Sequence, residues 1–246
     1  MTGEALPGRP GTLTEQEEVK LKELWIATLD VYGVVDAKEL NGEADPTPGI
    51  ARVDSKKPKK KRLGMFRSKD KSDDKPEVKK GAEEVDKYDH VKKAQEALAN
   101  FSPETLRETF WSMVKHDHPD ALLLRFLRAR KWDVEKALAM MIATMQWRQE
   151  YHVDDEIMKY GELGYLEDSQ SSDPVKAKLG ADFLAQLRLG KSFLHGTDKK
   201  GRPMCSVRVR LHKQGEQSEE SLEKYTVYII ESARMMLNPP VDTAVR

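Results

Sequence analysis

The stretch Asp120-Ala-Leu-Leu-Leu-Arg-Phe-Leu-Arg-Ala-Arg-Lys-Trp-Asp133 carries the pattern on which the fold turns. On a helical wheel at 100° per residue, Leu122, Leu123, Phe126 and Leu127 fall within an arc of about 140°, the width of a face packed on a core. Arg125 and Arg128 point away from that arc. Arg130 lies inside it, about 80° from Leu122. A guanidinium cannot shed its charge, so at such a position it needs a carboxylate, a phosphate or backbone carbonyls. The next helix opens at Asp133, a good N-cap residue, and carries two apolar stripes. Val134, Leu138, Met141, Ile142 and Met145 form one, and Met140, Trp147 and Tyr151 the other, so the helix is expected between two neighbours.

Upstream, residues 1 to 12 are rich in Gly and Pro and read as disordered. Thr14-Glu-Gln-Glu17 is a capping box that opens a helix to about Tyr32, with Val19, Leu21, Leu24, Trp25 and Leu29 as its apolar residues. From Asn41 to about Gly81 no apolar period survives, and the composition predicts a disordered linker. Residues 52 to 80 hold 13 Lys and Arg against 5 Asp and Glu, in a chain whose overall net charge is zero. Lys56-Lys-Pro-Lys59-Lys60-Lys61-Arg62, followed by Leu63, Met65 and Phe66, leaves three readings open. It is a solvated linker, a patch that adsorbs to anionic lipid, or a nuclear-import or nucleic-acid patch. No adjacent segment looks like a fold that reads nucleic acid.

Helical pattern resumes from about Glu83 to Ala99, and Ser102-Pro103 starts another helix with Leu106, Phe110 and Val114. His116-Asp117-His118-Pro119 breaks it. Without a distant partner cluster, this reads as an exposed turn and not a metal site. Asp173-Pro174 opens a helix with Leu179, Phe183 and Leu187 at i, i+4, i+8. Beyond Gly190 the period becomes two. Ser192–His195 and Met204–Leu211 flank a Gly-, Asp- and Lys-rich turn and read as a hairpin, with Cys205, Val207, Val209 and Leu211 on its buried face. That makes Cys205 a packing residue, and Arg202 and Pro203 turn architecture. Ser218 opens a last helix, with Leu222, Tyr225, Ile229, Ala233 and Met236 on one face, stopped at Asn238-Pro239-Pro240. The fold class is mainly α with a small β-hairpin.

A single cysteine leaves no internal disulfide and fits a reducing compartment. No apolar run approaches the length of a membrane span, and no signal-peptide core is present, so a cytoplasmic protein is expected. No phosphate-cradling Gly loop, Cys–His pair or paired carboxylates stand at a recognisable site, which argues against an enzyme and against a cofactor.

Leu123-Leu-Arg-Phe-Leu-Arg-Ala-Arg130-Lys-Trp132, then Trp147-Arg148, resembles the helical N-terminal lobe of the CRAL-TRIO lipid-transfer proteins, with the fungal phosphatidylinositol transfer proteins as the nearest branch. Gly196-Thr-Asp198-Lys-Lys-Gly201-Arg202-Pro203 is similar to the start of that family's lipid-binding domain. The resemblance implies an N-terminal helical segment at 1–40, a basic linker at 41–82, a helical lobe at 83–160 and the first part of an α/β lipid-binding domain at 161–246. In the family a parallel strand and further elements walling the lipid cavity would follow Pro240, and in these 246 residues they are expected to be absent. The expectation is therefore an incomplete domain without competent transfer by these 246 residues alone. The implied function is phospholipid binding and transfer, of phosphatidylinositol, by a monomer that associates reversibly with anionic membranes. The alternative is a non-catalytic fragment that binds a membrane or partner without a lipid pocket. Arg130 matches the arginine that helps to receive the inositol phosphate, or else docks the lobe through an ion pair. Lys59, Lys60, Lys61, Arg62 and Phe66 are the implied membrane-surface residues.

Overall fold

A computed structural model describes residues 6–34, 89–239 and 241–245. The predicted linker, with Lys59, Lys60, Lys61, Arg62 and Phe66, lies outside them, as does the start of the helix expected from Glu83. The chain divides into two compact units, Leu13–Trp147 and Arg148–Arg246 with Met1–Thr12.

The described residues of the first unit are helical. α1 (Glu15–Val31) begins at the predicted capping box, with the Thr14 hydroxyl taking the Glu17 N–H and the Glu17 carboxylate taking the Thr14 N–H. Then come α2 (His90–Asn100), α3 (Pro103–Val114), capped by Ser102, and α4 (Pro119–Ala129), capped by the His118 ring. α5 (Val134–Glu150) follows, with the Asp133 carboxylate accepting the Lys136 N–H at 3.0 Å. Leu24, Leu106, Phe110, Leu123, Leu127, Met141 and Ile142 are fully buried in one core. The Trp25 indole crosses from α1 to donate to Asp120 on α4 at 2.7 Å, so a polar atom in an apolar contact keeps its partner. Of the second stripe expected on α5, Met140 is half-buried and packs on the core. Trp147 is 41% exposed, so the stripe does not continue as a buried face.

The second unit starts with a π-helical turn, Val153–Met158, and continues through α6 (Lys159–Ser169) and α7 (Pro174–Leu189). β1 (Ser192–Thr197) and β2 (Pro203–Val207) form the antiparallel hairpin, and α8 (Glu219–Met235) follows. Its core is aromatic. Tyr165 stacks on Phe183 with centroids 3.6 Å apart, and Phe183 meets Tyr225 edge-on at 5.9 Å. The Tyr225 hydroxyl donates to the Ser192 carbonyl and accepts its N–H, which pins α8 to the first residue of β1. In the turn, the Asp198 carboxylate accepts the N–H of Lys200 and Arg202 and pairs with the Arg202 guanidinium, the architecture expected of these residues.

Three expectations need correction here. Residues 6–12, expected to be disordered, form turns, with Thr12 N–H donating to Arg9 O at 2.9 Å and Arg9 paired with Asp242 at 2.9 Å. The strand predicted from Met204 to Leu211 ends at Val207, and Val209–Leu211 is a 3₁₀ turn. Val207 and Val209 are exposed, not buried, while Cys205 is half-buried against the aromatic core. The reason is pairing. β1 begins at Ser192, opposite Val207, because α7 runs to Leu189; past a last bond from Arg208 N–H to Lys191 O the chain has no antiparallel neighbour and curls into a local turn. The parallel element expected after Pro240 is also not wholly missing. Val245 forms a parallel bridge with Met204, with Cys205 N–H donating to Val245 O at 2.7 Å and Val245 N–H to Pro203 O at 2.8 Å.

Candidate functional site

Arg130 is built by the way α4 ends. The helix stops at Ala129, one residue before the position the wheel assigned to its apolar face. Trp132 N–H donates to Leu127 O at 2.8 Å and Lys131 N–H to Arg128 O at 3.2 Å, the bond pair of a Schellman motif. Lys131 and Trp132 take φ of 52° and 66°, left-handed values that a glycine usually supplies. Trp132 packs back on the core in the hydrophobic contact that accompanies this motif. Arg130 is thereby lifted off the buried face and stands half-buried at the helix C-terminus. Its guanidinium lies 3.0 Å from Nδ1 of His90, the first residue of α2. Arginine only donates, so His90 Nδ1 is the acceptor of this bond. Among the described residues Arg130 meets no carboxylate. Arg128, expected to point outward, is half-buried as well. Arg125 pairs at 2.9 Å with Asp117, whose side chain is buried.

The strongest buried charge is one that sequence reasoning left without a role. Arg148, near the end of α5, has a side chain only 3% exposed. Its Nε and one terminal nitrogen donate to Asp154 at 2.8 Å. Both terminal nitrogens also reach Glu231 of α8, at 2.8 and 3.0 Å. Two bidentate forks therefore engage the whole guanidinium. Burial opposes charge on Arg148, but hydrogen bonds to Asp154 and Glu231 outweigh it and raise its pKa. At Glu231 burial pushes the pKa up, and the hydrogen bond and charge of Arg148 prevail to hold it below the usual carboxylate value. Trp147-Arg148 was visible as part of the motif, but Glu231 lies on α8 opposite its Leu222–Tyr225–Ile229–Ala233 stripe, where a wheel predicts solvent. No local signal could have paired them.

A cleft of about 370 Å³ opens beside α6, and Glu156, Glu167, Asp168, Lys176 and Lys224 are among its lining residues. Tyr160, Tyr165 and Leu179 line it as well, so its wall is of mixed charged and apolar character. Among the described residues no helix is long and apolar enough to cross a membrane.

Comparison with known proteins bears on both units. Residues 87–143 match the CRAL/TRIO N-terminal domain, and residues 187–246 match the CRAL/TRIO domain. A CRAL-TRIO domain-containing protein of Schizosaccharomyces pombe is 38% identical over 248 residues, covering 96% of this chain and 52% of that protein. Phosphatidylinositol transfer protein CSR1 of Eremothecium gossypii is 35% identical over 266 residues, covering 99% of this chain and 58% of its own length. Over a shorter segment of 41 residues, Sec14 cytosolic factor of Schizosaccharomyces pombe is 51% identical, covering 17% of this chain and 14% of that protein. The chain thus spans about half the length of the two relatives that it matches end to end. With the CRAL/TRIO N-terminal and CRAL/TRIO domain matches in order along one chain, and relatives aligned across nearly all of it, this protein belongs to the CRAL-TRIO family.

Proposed function

We propose that the protein binds a phospholipid, phosphatidylinositol, and transfers it between membranes without catalysing a reaction. The observation that carries this reading is the similarity, over 99% of the chain, to a relative named as a phosphatidylinositol transfer protein. Arg130 supports it chemically. It is a half-buried permanent cation at a helix end, bonded to an imidazole through one terminal nitrogen, so it keeps donors for a phosphate. His90 holds the guanidinium in place and adds no competing negative charge. In this reading Lys59, Lys60, Lys61, Arg62 and Phe66 supply reversible adsorption to anionic membranes, from a monomeric cytoplasmic protein.

Vesicle-to-vesicle transfer by the full-length protein tests the assignment. Arg130→Ala should lower phosphatidylinositol transfer about tenfold, the effect of one charge-assisted hydrogen bond. Transfer of phosphatidylcholine, if the protein carries it, should be spared. Lys131, exposed next to Arg130, is the better control, since Arg128 is half-buried. Equal loss for both lipids, with a lowered melting temperature, would reassign Arg130 to holding the lobe together.

A further inference from the structure

The acidic and basic residues of this chain balance in number, 42 against 42, but not in place. From Phe183 to Thr197, and again from Lys199 to Gly215, there is no Asp or Glu. Both acid-free stretches meet at the open end of the hairpin. There β2 gives way to the 3₁₀ turn Val209–Leu211, and Arg208, Arg210, His212 and Lys213 are exposed. Between the two arginines and beside them stand Val207 and Val209, 52% and 75% exposed. The nearest carboxylate in sequence, Glu216, pairs with Lys213 at 3.1 Å and leaves the arginines alone.

The segment is held firmly. Arg208 N–H donates to Lys191 O at 2.7 Å, and its guanidinium lies over the Phe193 ring, 4.8 Å from the centroid. Leu211 and His212 close the turn with hydrogen bonds back to Arg208 and Val209. Arg208 also comes close to Gly190, the residue just after α7, so the exposed Arg188 and Leu189 lie at the same end.

We propose that this surface, Val207 to Lys213 with Arg188 and Leu189, docks the protein on anionic bilayers. A bilayer surface is an apolar layer beneath a plane of phosphates, and valines alternating with arginines on a fixed turn match both at once. The valines enter the acyl boundary while the guanidiniums pair with headgroup phosphates. A nucleic acid fits less well, because His212 is the single ring between Val207 and Lys213 and the exposed valines offer a base no stacking face. The docking surface stands whether or not the protein carries phosphatidylinositol, and it is distinct from the Lys59–Arg62 run.

Co-sedimentation of the full-length protein with phosphatidylcholine vesicles, with and without phosphatidylserine, tests the proposal. To remove the other basic run, Lys59, Lys60, Lys61 and Arg62 are first replaced by alanine. Binding to the phosphatidylserine vesicles should persist in that background. Arg208→Gln with Arg210→Gln should then weaken it about thirtyfold, from two charges at the membrane surface. Val209→Ser, which leaves the charge unchanged, should weaken it roughly tenfold through lost apolar burial. Lys199→Gln with Lys200→Gln removes equal charge at the closed end of the hairpin and should change little. Lys199, Lys200, Arg208, Val209 and Arg210 are exposed, and unchanged circular dichroism melts would show that the variants fold. Three results would overturn the surface: no binding in the alanine background, equal loss from both charge pairs, or indifference to Val209. Loss of single-stranded RNA binding with vesicle binding intact would assign the patch to nucleic acid instead.

Discussion

Arg148 shows what a single buried charge demands. Its side chain is almost wholly shielded from water, and two carboxylates repay its desolvation through four hydrogen bonds. Arg148→Ala leaves Asp154 and Glu231 facing each other, with Arg234 the nearby cation at 3.4 Å from Glu231, and should cost about 3 kcal/mol in denaturant unfolding. Arg148→Lys keeps the charge but cannot form the forks, and should recover only part of that loss. The pair also sets a pH dependence. Glu231 has a folded pKa held below its unfolded value, near 4.3 for a free glutamate, so its contribution is full above that pH. Stability should be lost as pH falls through the depressed folded value, and Glu231→Gln should flatten that part of the melting-temperature profile. An unchanged acid limb in the variant would show that the pair is not linked to folding. Arg130 offers the contrast. Its sequence position announced a cation needing a partner, but the partner proved to be a histidine 40 positions upstream, which no periodicity could supply.

Among elements, those with local instructions were legible. α1, α3, α7 and α8 begin where Thr14, Ser102-Pro103, Asp173-Pro174 and Ser218 said they would, because a cap bonds within its own first turn. Thr14→Ala should lower stability by about 1 kcal/mol, readable in urea unfolding. The end of β2 was not legible, since it depends on where β1 starts, and alternation alone ran the strand four residues too far. The end of α4 was missed by one residue because Lys131 and Trp132 adopt left-handed conformations that their side chains do not advertise. α7 holds a further prediction. A Cβ on Gly180 would lie 2.5 Å from Tyr165 O and 2.6 Å from Ser169 N, both backbone atoms of α6 that cannot easily retreat. Gly→Ala within a helix ordinarily stabilises by roughly 1 kcal/mol. Here Gly180→Ala should instead destabilise by about 1–3 kcal/mol, because α6 and α7 must separate.

At the scale of the whole molecule, the sequence motifs foresaw the family, and the fold carries its order: a helical lobe, then a hairpin, a helix and the start of a parallel pairing at Val245. In the proposed reading, the choice of lipid rests on residues distant in sequence, and of these only Arg130 stands out. The proposal of phosphatidylinositol binding therefore meets its most direct test in the lipid itself. Full-length protein, purified without detergent, should be extracted and its bound lipid identified by mass spectrometry. The account predicts phosphatidylinositol in near-stoichiometric amount, depleted in Arg130→Ala while the variant stays folded. Protein that folds and carries no phospholipid, or carries the same lipid in the same amount with and without Arg130, would contradict it.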